Sequence, residues 1–279
     1  MKKKVLLFAV ILFASLTTGN IFAQQKSWDL WNLIDNLKSN YDWTDLSFEI
    51  SPETPHWYGF DPLVIEEKYT FESSKSSPKG TDGVFLAYLY TLPGQYGTHT
   101  DFPGHFDPNG RLIDSYGVKD LAYKLIVIDK SKAVSKNANY QLTKKDVLEF
   151  EKQYGQIPEN SFVAFRSDWS KRKASEYENK DKKGNPHYPG WALDALEYLI
   201  KERNVAVIGH ETPDTDSAIT GGDTMPAENY VLDNGKLNVE LLKNLDKVPP
   251  VGAIVFVTFP NIKGGTGFTS RVFAISPKK

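Results

Sequence analysis

Two of the chain's five histidines and one carboxylate fall within seven residues, His99-Thr100-Asp101-Phe102-Pro103-Gly104-His105. Imidazole nitrogen and carboxylate oxygen are the donors from which many metal sites are built. The run before them, Val84 to Leu92, is rich in aromatic and β-preferring residues and is bounded by Gly83 and Pro93-Gly94, so it reads as a strand. If the chain stays extended past that break, side chains two apart point the same way, and Gln95, His99 and Asp101 share a face. Gly97 leaves room there for a ligand beside the backbone. Gly97, Pro103 and Gly104 argue against a helix. Pro103-Gly104 turns the chain, so that His105 looks back at the same point. The plain alternative is a polar loop whose histidines bond only to backbone. His-x-Asp with a third group beyond a turn favours a site.

The elements that must hold this cluster follow from periodicity. Trp28, Trp31, Leu33, Ile34 and Leu37 recur at helical spacing behind Ser27, which can cap. Leu46 to Ile50 and Leu63 to Phe71 read as strands. So do Ala122 to Ile128, Phe162 to Phe165, Val205 to Ile208, Ile254 to Thr258 and Val272 to Ile275. Helical patterns cover Thr143 to Tyr154, with Asp146 placed to complete a capping box, and Trp191 to Glu202. A further helix is expected over about Val239 to Leu245. The strand–helix alternation of the second half predicts an α/β fold. A single domain is expected, with a mixed, partly closed, barrel-like β-sheet flanked by helices. Ser73 to Gly80 and Lys171 to Asn185 read as solvated loops.

Residues 1–23 have the order of a secretory signal peptide: Lys2, Lys3 and Lys4, an apolar run from Val5 to Leu16, polar residues, then Ala23. The apolar run is short of the about 20 residues that a bilayer span needs. The expectation is an exported, periplasmic or secreted protein with no membrane attachment after cleavage. A helical extension over 24–41 would precede the main domain, 42–279. Removing three lysines and no acid takes the formal charge from −2 to −5. That balance gives no reason to expect nucleic acid as a partner. The chain has no cysteine, which excludes disulfides and thiol catalysis. No Gly-x-Ser-x-Gly elbow is present either.

GTHTDFPGHF resembles the signature of the Putative cyclase family of metal-dependent hydrolases, which includes bacterial kynurenine formamidases and isatin hydrolases. The likeness extends over roughly residues 42–275. It is carried also by Asp45-Leu46-Ser47 with Pro52, Pro55 and Trp57, by Arg166-Ser167-Asp168-Trp169-Ser170 with His187 to Trp191, by Ile208 to Asp216, and by Val239-Glu240 through Asp246. The resemblance implies a swivelling β/β/α fold. It implies His99, Asp101 and Glu240 as metal ligands, with Asp101 able to bridge two ions, and His105 as the proton-transfer residue. Two positions depart from the family pattern: Gln95 and Glu228 stand where histidines are expected, and both can still bind through oxygen. The donor set becomes harder, which moves preference from zinc, the family expectation, towards manganese. One ion or two remains open.

The resemblance implies hydrolysis of an amide, formamide or lactam-type C–N bond of a small molecule, aromatic ones included, with arylformamidase (kynurenine formamidase) chemistry of tryptophan catabolism as the best-known case. The ion would acidify a bound water and polarise the carbonyl, and His105 would carry the proton to the leaving nitrogen. Thr98 or a backbone N–H is a candidate for steadying the oxyanion. Trp57, Phe60, Phe48 and Trp169 could supply an aromatic wall. His210, at a strand end, is a candidate for binding substrate or supporting a ligand, and His56 and His187 at most line the pocket. A non-catalytic exported binding protein on the same scaffold is the competing reading. The resemblance also implies a homo-oligomer.

Overall fold

The computed structural model describes residues 29–72, 85–222 and 224–278. The expected leader, 1–23, and the expected loop at 73–80 lie outside them. Two compact units divide the chain: 1–43 with 277–279, and Thr44–Ser276. In the first, residues 29–40 are helical, as the spacing of Trp31, Ile34 and Leu37 predicts.

The large unit is built on a nine-stranded sheet curled into a half-barrel. Its middle is parallel: β5 (Ala122–Asp129), β7 (Ser161–Arg166), β9 (Val207–His210) and β10 (Leu237–Glu240) lie side by side. Beyond β10 come β4 (His99–Asp101) and then β12 (Gly267–Thr269), both antiparallel to their neighbours. On the other side of β5 lie β11 (Ala253–Thr258) and β13 (Arg271–Pro277), again antiparallel, then β1 (Tyr41–Asp45). The sheet is therefore mixed, as expected. β2 (Val64–Tyr69) and β3 (Ala87–Thr91) pair only with each other, as a separate ribbon.

The parallel strands are near-continuous apolar runs because both faces are covered. Ile126, Ile128, Val163 and Phe165 point into one core, and Leu125, Val127, Phe162 and Ala164 into the other. Helices close the first core. They are α3 (Lys144–Tyr154), the helix α4 (Leu193–Glu197) that runs on as a wider turn through 198–202, and α5 (Pro226–Asp233). The capping box forms as predicted, with the Thr143 N–H donating to Asp146 Oδ2 at 2.8 Å. The helix expected from Trp191 starts two residues later, because Gly190–Trp191 is drawn into a short strand beside Gln141–Leu142.

Two expectations fail. Residues 239–245 are not a helix. The Asn234-Gly235 turn ends α5, and β10 then finds partners on both sides, whose ladders outweigh local spacing. β10 ends at Glu240, and Leu241 after it has φ +54°. Leu46 to Ile50 is not a strand either. Ordered pairing ends at Asp45 in β1, and only an isolated bridge from Ser47 to Leu242 follows.

Candidate metal centre

The site is assembled by strand register. In the β10–β4 ladder Glu240 stands directly opposite His99, so their side chains rise from the same face. β9 lies on the far side of β10 and ends in His210, whose Nε2 is 3.5 Å from Glu240 Oε1. Asp101 lies two residues along β4 and shares the face of His99. His99 Nε2 is 3.2 Å from Asp101 Oδ2 and 3.6 Å from Glu240 Oε2. His99, Asp101 and Glu240 are all buried, and each offers a ligand atom within 4.8 Å of the others.

The surrounding hydrogen bonds aim these groups. Nδ1 of His99 lies 2.8 Å from the Gly97 carbonyl, so an Nδ1–H donates there and Nε2 keeps its lone pair for the cavity. Glu240 Oε1 accepts from Asn238 Nδ2 at 3.0 Å and from Thr215 Oγ1 at 3.3 Å, leaving Oε2 turned towards His99. Both carboxylate oxygens of Asp101 are buried; Oδ2 has the ion pair with His99 Nε2, and Oδ1 has no hydrogen-bond partner among the described residues. Such atoms are costly unless something else satisfies them.

Asp101, Glu228, Glu240 and Asp214 face a cavity of about 240 Å³ whose lining includes no lysine or arginine. Burial pushes the carboxyls of Glu240 and Glu228 well above the usual range, and neighbouring carboxylates push the same way. Burial raises Asp214 to about 7. The imidazole of His210 is driven down to about 3 by burial and then by the charge of His99. For His99 burial opposes the charged form, but the Asp101 carboxylate outweighs it and the pKa is raised. Asp101 is correspondingly lowered against its own burial, by His99 first. Four buried carboxyls around the one buried imidazole of this lining could not all ionise without a compensating positive charge. A divalent cation would supply that charge and a partner for Asp101 Oδ1.

The other expected residues divide. Gln95, His105, Glu228, Trp57 and Phe60 all line the same cavity. Gln95 arrives by a turn rather than along an extended strand, because Gly97 has φ +64°. Its Nε2 lies 3.4 Å from His105 Nδ1 at the exposed mouth. Asp101, His105 and Glu228 form a second set of ligand atoms within 4.8 Å, with Asp101 common to both. Glu228 is positioned by α5, whose first N–H groups are capped from outside: Ala227 and Glu228 donate to Asp216 at 3.0 and 3.1 Å.

Six candidate residues stay out of the cavity lining. Trp169 lies in the helix-side core, with its Nε1 donating to the Tyr177 carbonyl at 3.0 Å, so it forms no cavity wall. Phe48 borders a different groove. His210 sits behind Glu240, buried, with its Nε2 3.5 Å from Oε1, and does not line the cavity. The Thr98 hydroxyl is committed to the Leu241 carbonyl at 2.6 Å and is not available to an oxyanion. His56 and His187 do not line the cavity; they bond to Thr54 and Asn139.

Sequence reasoning missed Asp214, Pro213, Phe106 and Met225, which complete the lining. A Pro-Asp pair just past a buried strand end was the available signal for Asp214. It also missed Gly267, which stands opposite Asp101 in the β12–β4 ladder. A Cβ at Gly267 would lie 2.7 Å from Asp101 Oδ1 and 2.8 Å from Gln95 Nε2, closer than real contacts allow. Gly267→Ala is therefore expected to displace Asp101 and weaken metal affinity by roughly 10–100-fold, the scale of errors in ligand orientation. Metal titration followed by calorimetry checks it, and unchanged affinity would mean that Gly267 does not shape the centre.

The sequence profile described as Putative cyclase matches residues 44–217. Isatin hydrolase of Roseibium aggregatum is 32% identical over 251 residues, covering 87% of this chain and 94% of that protein. Isatin hydrolase A from Labrenzia aggregata, solved with benzyl benzoate, superposes with TM-score 0.80 at 29% identity, over 89% of this chain and 99% of that one. An isatin hydrolase bound to the product analogue thioisatinate gives 0.79 at 28% identity, over 89% and 98%. The likeness in sequence and the likeness in fold thus run over the same strands that bring His99 and Glu240 face to face, and the chain belongs to the Putative cyclase family.

Proposed function

We propose that this protein is a metal-dependent hydrolase that opens the C–N bond of a small planar amide, a lactam of the isatin kind in the first instance and an aryl formamide as its open-chain counterpart. The observation that carries the reading is the buried convergence of His99, Asp101 and Glu240, whose ligand atoms lie within 4.8 Å of one another while Asp101 Oδ1 has no hydrogen-bond partner among the described residues. The isatin hydrolases similar to this chain support the lactam over the formamide.

His99, Asp101 and Glu240 would hold the ion, with Gln95 and Glu228 as further oxygen donors within the same lining. With one nitrogen and otherwise oxygen donors, the set favours manganese over zinc. When bound, such an ion acidifies water and polarises a carbonyl. Trp57 and Phe60, whose rings meet edge-on at 5.1 Å, offer a planar substrate an apolar wall and exclude water. His105 takes a proton from the attacking water and returns it to the nitrogen as the C–N bond breaks, giving a carboxylate and an amine. The leader-like order of residues 1–23 supports export of the enzyme, which cell fractionation tests.

The test is hydrolysis of isatin and of N-formyl-aryl amides by purified protein before and after chelation. Expected are turnover that is lost on chelation and restored by manganese, with isatin preferred. Ligand binding without turnover in metal-loaded protein would overturn the proposal in favour of a binding protein. His105→Ala should lower kcat by about 10²–10⁴-fold while metal content stays unchanged.

A further inference from the structure

Asp214 is the carboxyl of the cavity lining that the proposed chemistry leaves unused. The ligand atoms of His99, Asp101 and Glu240 converge in one set and those of Asp101, His105 and Glu228 in another, and Asp214 belongs to neither. Nor is it held for an ion pair, since no lysine or arginine lines the cavity.

The chain nevertheless fixes this side chain firmly. Residues 211–217, the loop that leaves β9, are all buried. The Leu241 N–H donates to the Thr212 carbonyl at 3.2 Å and the Trp191 N–H to the Thr215 carbonyl at 2.9 Å, which pins the loop on either side of Asp214. Within it the Thr212 hydroxyl donates to the Asp214 carbonyl at 3.0 Å. The Asp216 N–H donates to Asp214 Oδ1 at 2.9 Å, and the Tyr188 hydroxyl donates to the same carboxyl. An ionised carboxyl has about four acceptor positions, so these two donors leave it short. In a buried place that shortfall is costly unless a ligand makes it up.

We propose, resting on the reading of this cavity as a lactam site, that Asp214 selects for an unsubstituted amide nitrogen by accepting a hydrogen bond from the substrate N–H. A secondary lactam carries one N–H, lying in the plane of the amide, and a carboxylate is a pure acceptor. The carbonyl is the group that a cation polarises, so the N–H is the end of the amide left for Asp214. His105 delivers its proton to the nitrogen lone pair, which opens perpendicular to that plane as the carbonyl is attacked. The two residues thus serve one nitrogen from different directions. A site built around such a bond rejects an analogue that lacks the N–H, because the buried acceptor is then left unpaired. Trp57 and Phe60 do not make that distinction, since apolar walls discriminate weakly against one added methyl group.

Asp214→Asn tests this with the shape of the side chain kept. Its amide oxygen takes the Asp216 N–H, as Oδ1 does now, and its NH2 then offers a donor where the substrate N–H needs an acceptor. Expected is a fall of about 10–100-fold in the ratio of kcat/KM for isatin to that for N-methylisatin, the scale of one hydrogen bond to a charged group, with bound metal unchanged. Calorimetry gives a reading free of turnover. The unreactive lactam oxindole should bind metal-loaded wild type at least about 10-fold more tightly than N-methyloxindole, and Asp214→Asn should abolish the difference. Circular dichroism checks that the variant folds; should it not, the wild-type pair alone decides. Equal wild-type affinities, a ratio that Asp214→Asn leaves unchanged, or loss of bound metal in that variant would overturn the proposal. Wild type that hydrolyses neither isatin would sink the proposed function, while the oxindole pair still decides this contact.

Discussion

His99→Ala is expected to empty the centre. Bound metal should fall from about one ion per chain to a trace, and turnover by at least about 10³-fold, a loss of about 4 kcal/mol of transition-state stabilisation. The reason is geometric. Nε2 of His99 is the one nitrogen donor within reach of both Asp101 Oδ2 and Glu240 Oε2, and its hydrogen bond to Gly97 already holds the ring in place. Removing it leaves Asp101 and Glu240 as buried carboxyls without the imidazole that lies between them, and the cheapest response is to take up protons. Elemental analysis of the variant beside the wild type decides the matter. Full metal content in His99→Ala would remove the histidine from the centre.

The second large effect is on stability against pH in protein freed of metal. The carboxyls of Glu228 and Glu240 have raised pKa values, and Asp214 is raised to about 7, so the folded state keeps protons that the unfolded chain gives up near pH 4. Wherever the folded state binds more protons, stability falls as pH rises. His99, raised above 6.5, acts in the same direction, its contribution being lost as pH climbs through the folded value. His210 acts oppositely. Lowered to about 3, it takes up a proton on unfolding, and its effect is complete once pH exceeds 6.5. Between about pH 6.5 and 8 the remaining groups agree in sign. Metal-free protein should therefore lose about 1–3 kcal/mol over that interval, at about 1.4 kcal/mol per pH unit for each extra bound proton.

Metal should reverse the trend, since its ligands must be deprotonated to bind. Manganese at 100 times its Kd contributes about 2.7 kcal/mol. Tm measured across pH with chelator and with manganese gives both curves. A metal-free Tm that is flat or rising above pH 6.5 would show that these carboxyls do not carry the strain assigned to them.

How much of this was legible in the sequence depends on distance along the chain. His99 and Asp101 are two residues apart on one short strand, and alternation alone puts them on one face. The mixed α/β sheet was legible too, from strand–helix alternation and from apolar runs such as Phe162 to Phe165. Glu240 lies far from His99 in sequence, and no local pattern marks it. Family likeness pointed to it, while the reading of its surroundings as a helix was wrong. Pairing on both edges decides the state of β10, and a single sequence does not reveal pairing. Gly267 was illegible for the same reason, since its importance comes only from standing opposite Asp101. Trp169 and Phe48 show the opposite failure. Aromatic residues near a motif suggest a substrate wall, but core packing and a different groove claim them instead.

The account rests on a divalent cation gripped at the meeting of β4 and β10. An anomalous difference map from crystals grown with manganese measures this directly. The account predicts a peak within coordination distance of His99 Nε2, an Asp101 carboxylate oxygen and Glu240 Oε2, with the Gln95 amide turned towards it. A map with no peak among those side chains, from protein that nonetheless hydrolyses substrate, would contradict it.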